Sequence, residues 1–93
     1  MKANEFCRNW FKATPEQESS RGYRQQCVTL LAKVLGVKEN TIQRWGSGVD
    51  FEKMPEEYEV TLAYADTIRA MLEAAYEDTR LIEAVFEKLK NRN

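Results

Sequence analysis

Gly36 lies between two short amphipathic stretches, and this limits what residues 31–48 (LAKVLGVKENTIQRWGSG) can fold into more tightly than any other feature of the chain. A glycine closing a helix supplies the left-handed backbone on which a chain reverses without a Cβ clash. Four residues earlier stands Ala32, small enough for a second helix to cross closely, and Leu31 and Leu35 form the inward side of the first helix. Ile42 and Trp45 come six and nine residues after the glycine, one helical turn apart, and face back onto the leucine pair. Val37 closes this small core. The pattern predicts two helices packed across a tight turn over about residues 28–48.

With Ile42 and Trp45 inward, a rotation of about 100° per residue turns Asn40, Gln43, Arg44 and Ser47 outward on a second helix spanning 39–47, with Thr41 and Glu39 on its flanks. Asn and Gln amides pair bidentately with adenine, Arg with guanine, and hydroxyls with several base edges. An ordinary solvated face is the alternative, in which Glu39 only complements the helix dipole.

The net charge of −1 conceals an asymmetry. Residues 1–48 carry eight Lys/Arg against four acids, a net of +4, whereas residues 49–93 carry six against eleven, a net of −5. The basic half is the one holding the Gly36 turn, which is the polarity required if one end meets phosphate and the other faces away. An excess of +4 gives a weak electrostatic attraction per copy, so tight binding to a polyanion needs two copies on one site.

Several classes are disfavoured. The chain has no histidine, and Cys7 and Cys27 are not at metal-ligand spacing, so neither a zinc framework nor the commonest general base is available. No clustered acid pair or phosphate-cradling glycine loop points to an enzyme, and no cofactor is expected. Both thiols read as reduced core residues. No run of 18 apolar residues appears, and MKANEFCRNW lacks the apolar stretch of a secretory leader, so the expected location is the cytoplasm.

The remaining segments read as helices of one 93-residue domain. In residues 2–13, Phe6 and Trp10 are one turn apart with Cys7 and Phe11 beside them, which predicts an amphipathic first helix with its aromatics in the core. Thr14-Pro15-Glu16-Gln17 is a capping box with proline at the first helical position. Whether that helix continues to Leu35 is left open, since Ser20 is also able to cap a separate segment. From Tyr23 the inward positions are Tyr23, Cys27, Leu31 and Leu35. The connector after Trp45 brings Val49, Phe51 and Met54 toward the core; a small wing presenting Lys53 to a DNA backbone is the rival reading.

Residues 55–91 form a long helical segment without Gly or Pro after Pro55. Ala65, Ile68, Leu72, Ala75, Thr79, Ile82, Phe86 and Leu89 alternate steps of three and four, a seam longer than the small core is able to cover. Leu72, Ile82, Phe86 and Leu89 are therefore expected to form a homodimer interface, with a break at Asp78-Thr79.

Leu31, Ala32, Leu35, Gly36, Val37, Thr41, Ile42 and the Trp45–Gly48 ending, followed by Pro55, resemble the Cro and lambda-repressor-like helix-turn-helix family over about residues 28–60. The resemblance implies a compact all-α domain whose second helix enters the major groove. Val28 stands where the family has Gln, and Lys38 where it favours Ser, so the usual helix cap is replaced by a side chain that reaches phosphate. The expected protein is a homodimeric, sequence-specific transcriptional regulator binding double-stranded DNA. Asn40, Gln43, Arg44 and Ser47 would contact bases, and Lys38, Arg24 and Thr41 phosphates, with half-sites about 34 Å apart. A helical adaptor or inhibitor that binds another protein through the C-terminal helix is the alternative.

Overall fold

Six helices follow one another, with no strand among the described residues: α1 (Ala3–Phe11), α2 (Pro15–Glu18), α3 (Tyr23–Leu35), α4 (Glu39–Gln43), α5 (Glu57–Glu77) and α6 (Thr79–Lys90). The computed structural model describes residues 1–77 and 79–91, with side chains for all of these except 79–82.

α1 buries Ala3, Phe6 and Cys7 and ends where Lys12 turns left-handed (φ 53°). Trp10 departs from the expected core position and is 44% exposed, its ring lying against Phe6 at a centroid distance of 5.9 Å. It sits in the last turn of a nine-residue helix, at the rim of the core that Phe6 and Cys7 enter. The capping box is complete: the Gln17 amide donates to Thr14 Oγ1 (3.2 Å) and the Thr14 amide to Gln17 Oε1 (2.9 Å). α2 stops at Glu18, so there is no continuous helix to Leu35. Gly22, at φ 92°, is the N-cap of α3, while the Ser20 hydroxyl donates back to the Gln17 carbonyl and closes α2.

α3 carries Tyr23, Cys27, Val28, Leu30 and Leu31 into the core. It ends at Gly36 in the left-handed region (φ 69°), with the Val37 amide returning to the Ala32 carbonyl at 3.1 Å, as the reversal requires. Ile42, Trp45 and Phe51 complete the core with Leu62 of α5.

α5 docks through Tyr58, Leu62 and Ala65, and of its described residues only Leu62 is fully buried. Beyond Ala65 the docked side becomes polar. Arg69 pairs with Asp66 (3.0 Å) and Glu73 (2.8 Å), Asn9 of α1 donates to Asp66 (3.3 Å), and Lys12 lies 3.9 Å from Glu73. Of the seam read from the sequence, Ala65 lies on the docked face, whereas Ile68 and Leu72 turn away from it. Val60, Tyr64, Ile68, Met71 and Leu72 are all more than half exposed. On α6, so are Val85, Phe86 and Leu89. The helix break falls at the expected position, between Glu77 and Thr79. The protein measures 61 × 29 × 19 Å with a radius of gyration of 17.7 Å, against about 12 Å for a compact chain of this length. The elongation is what a protruding end of α5 with α6 beyond it produces.

Candidate nucleic-acid interface

α4 is held from inside. Ile42 is fully buried and Trp45 nearly so, its ring packed against Tyr58 at a centroid distance of 5.3 Å and a tilt of 36°, and these two anchors fix which side of α4 faces out. The helix is shorter than the expected 39–47: it ends at Gln43, with Arg44 as C-cap and Ser47 already in the connector. Glycines at 46 and 48 and the return of the chain to the core stop it there, the Lys53 amide bonding the Trp45 carbonyl at 3.0 Å. Lys38 is the N-cap and makes no side-chain capping bond, because an ammonium has no lone pair to offer an amide.

Two of the named contact residues are engaged within the protein. The guanidinium of Arg24 donates to the carbonyls of Gly48 and Gln43 (the latter 3.1 Å) and to Gln43 Oε1 (3.2 Å), and it lies 4.9 Å from the centroid of the buried Phe51 ring. It ties α3 to the end of α4 and to the connector. Gln43 is turned toward α3, its Nε2 donating to Gln25 Oε1 at 3.2 Å. Gln25 donates in turn to Glu39 Oε1 (2.8 Å) and to Thr29 (3.3 Å), and Thr29 to Glu39 (3.3 Å). Nothing in the sequence around Gln25 and Thr29 marks them as partners of α4 beyond their i, i+4 spacing, which puts them on one side of α3. This exposed network joins α3 to α4 and holds Gln43 in one orientation, leaving one of its amide hydrogens to spare.

Asn40, Thr41, Arg44 and Ser47 are exposed, and among the described residues their side chains have no hydrogen-bonding or ionic partner. Asn40 and Arg44 are four residues apart and Thr41 and Arg44 three, so the three share one side. The cations divide in the same way. Lys2, Arg8 and Lys12 are paired with Glu59, Glu18 and Glu73. Arg21, Lys33, Lys38, Arg44 and Lys53 are exposed and have no carboxylate partner among the described residues. Five cations without a carboxylate partner thus lie between residue 21 and the connector, and Lys88 and Lys90 of α6 are likewise exposed without one among the described residues. A shallow groove of about 600 Å³ lies beside α3, lined by Trp10, Phe11, Gln25, Thr29, Leu30 and Lys33.

Cys7 and Cys27 are buried and free, with the two thiols close enough to interact. The interaction with Cys27, followed by burial, pushes the Cys7 thiol up while the same interaction lowers Cys27, and burial, followed by the interaction with Cys27, raises the Tyr23 phenol. Neither Cys7 nor Tyr23 is placed for nucleophilic chemistry. The expected dimer residues Leu72, Phe86 and Leu89 are exposed; the Ile82 side chain lies outside the described residues. Among the described residues no helix is long and apolar enough to cross a membrane, and no cluster of three ligating side chains is arranged for a metal ion. No protein-family model, no curated protein and no solved structure matches the chain.

Proposed function

We propose that this protein is a sequence-specific DNA-binding regulator that acts as a homodimer and reads the major groove with α4 and the residues just beyond it. The supporting observation is Asn40 and Arg44 on one side of α4, with Ser47 just beyond it: base-reading side chains without partners among the described residues, at an element pinned from behind by Ile42 and Trp45. In this reading Asn40, Arg44 and Ser47 contact bases, with Gln43 adding its spare amide hydrogen. Lys38 and Thr41 contact phosphate. Arg24 acts through position, fixing the end of α4. The unpaired cations from Arg21 to Lys53 supply the attraction to phosphate, and the acidic α5 keeps the opposite end of the molecule away from it.

Anisotropy titrations with a preferred duplex and a scrambled competitor test this. Arg44→Ala is expected to weaken the preferred duplex by about 1–3 kcal/mol and to relax preference at one position. Lys38→Ala is expected to weaken both duplexes alike and to flatten the salt dependence. An Arg44→Ala protein that binds both as the wild type does would remove α4 from the reading. The exposed apolar face of α5 and α6 favours a second reading, an adaptor that binds another protein. DNA affinity that is absent at low salt would select it.

A further inference from the structure

The apolar faces of α5 and α6 are on one chain but are not able to cover each other there. α5 ends at Glu77 and α6 begins at Thr79, leaving a single residue between them, whereas antiparallel helices joined within a chain take a loop of about two to five. The 61 Å length of the molecule fits an α6 that continues away from the body rather than folding back. Tyr64, Ile68, Met71 and Leu72 are therefore left open on α5, and Phe86 and Leu89 on α6.

We infer that a second copy of this chain covers both faces at once, each α6 lying antiparallel along the α5 of the other copy about a two-fold axis near residue 77. A two-fold arrangement lets each chain give and receive the same contact, so both stripes are buried and the assembly stops at two. The area is sufficient. At roughly 100 Å² of exposed surface per large apolar side chain, these six side chains offer on the order of 600 Å² per copy, or about 1,200 Å² for the pair, the lower end of the range for stable interfaces.

Charge selects the antiparallel direction. α5 carries five acids against one base, whereas the last turn of α6 carries Lys88 and Lys90. Antiparallel packing brings those lysines toward the first half of the other α5, where Glu57 is exposed. Parallel packing would instead set the acid-rich α5 against its own copy. With Ile68 opposite Phe86, the two α5 N-termini stand roughly 60 Å apart at 1.5 Å per residue, closer to two turns of B-DNA than to one. This dimer takes from the proposed function only its two-copy stoichiometry, so its test contains no DNA.

Light scattering of the wild type at tens of micromolar should give twice the chain mass of 10.9 kDa. Direction is read by cross-linking in a Cys7→Ala, Cys27→Ala background, where only introduced thiols react. Ile68→Cys and Phe86→Cys are made in separate chains, mixed for subunit exchange and oxidised. Both sites are exposed, so circular dichroism should be unchanged. The expected product is the mixed disulfide, with little self-linking of either variant alone. A monomer by light scattering, or self-linking through position 86 in preference to the mixed product, would overturn the antiparallel dimer. DNA binding by such a protein would remain a separate question.

Discussion

Replacing Phe51 separates two contributions that ordinarily move together. Its ring is 2% exposed, packed in the core and covered by the Arg24 guanidinium, so Phe51→Ala should cost about 3–5 kcal/mol. Its backbone is left-handed, at φ 48°, a conformation that costs an L-residue about 1–2 kcal/mol. Alanine keeps that cost; glycine does not. At most positions glycine is the less stable of the two by roughly 0.5–1 kcal/mol, but here the order should reverse, with Phe51→Gly more stable than Phe51→Ala by about 1 kcal/mol. The domain as a whole is expected to hold about 5–14 kcal/mol, so both variants lie near the lower limit, and urea titrations should be run with an excluded osmolyte to keep native baselines. A shared slope with a higher midpoint for glycine is the predicted result. A glycine variant less stable than the alanine variant would refute the left-handed backbone and, with it, the account of how the connector returns to the core.

Two further predictions concern stability. Thr14→Ala removes half of the capping box and should cost about 1 kcal/mol in a urea titration, whereas an unchanged midpoint would show that α2 adds nothing to the fold. Tyr23 holds its proton in the folded protein beyond the ordinary value of 10.0, chiefly because of burial, so on alkalinisation the unfolded chain loses that proton first. Bound protons are then fewer in the unfolded state, and stability should decline as the pH rises past 10.0; equal urea midpoints at about pH 8 and about pH 11 would contradict this.

What was legible in the sequence was local. The Gly36 reversal, the Thr14–Gln17 box, the inward pair Ile42 and Trp45, and the break before Thr79 each depend on residues within one or two turns of each other, where propensity and periodicity decide. The departures depend on distant partners. Arg24 resembles a free surface cation until the connector, more than twenty residues away, folds back to present the Gly48 carbonyl and the Phe51 ring. Gln43 turns inward because Gln25 of another helix holds it. The heptad seam of α5 is real as a pattern, yet the docked face is set by Tyr58, Leu62 and the Asp66–Arg69–Glu73 ion pairs, and beyond Ala65 the seam is left outside. The spacing of Trp10 with Phe6 predicts a core position, but spacing does not say where the covering helices end.

The central claim is that the exposed row from Asn40 to Ser47 reads DNA sequence, and selection of bound fragments from a pool of random duplexes tests it most directly. The account predicts enrichment of a short motif in two inverted halves, lost steeply as salt rises, with Arg44→Ala protein losing preference at one position in each half. A pool that stays random after repeated rounds, or a motif that Arg44→Ala enriches unchanged, would contradict it.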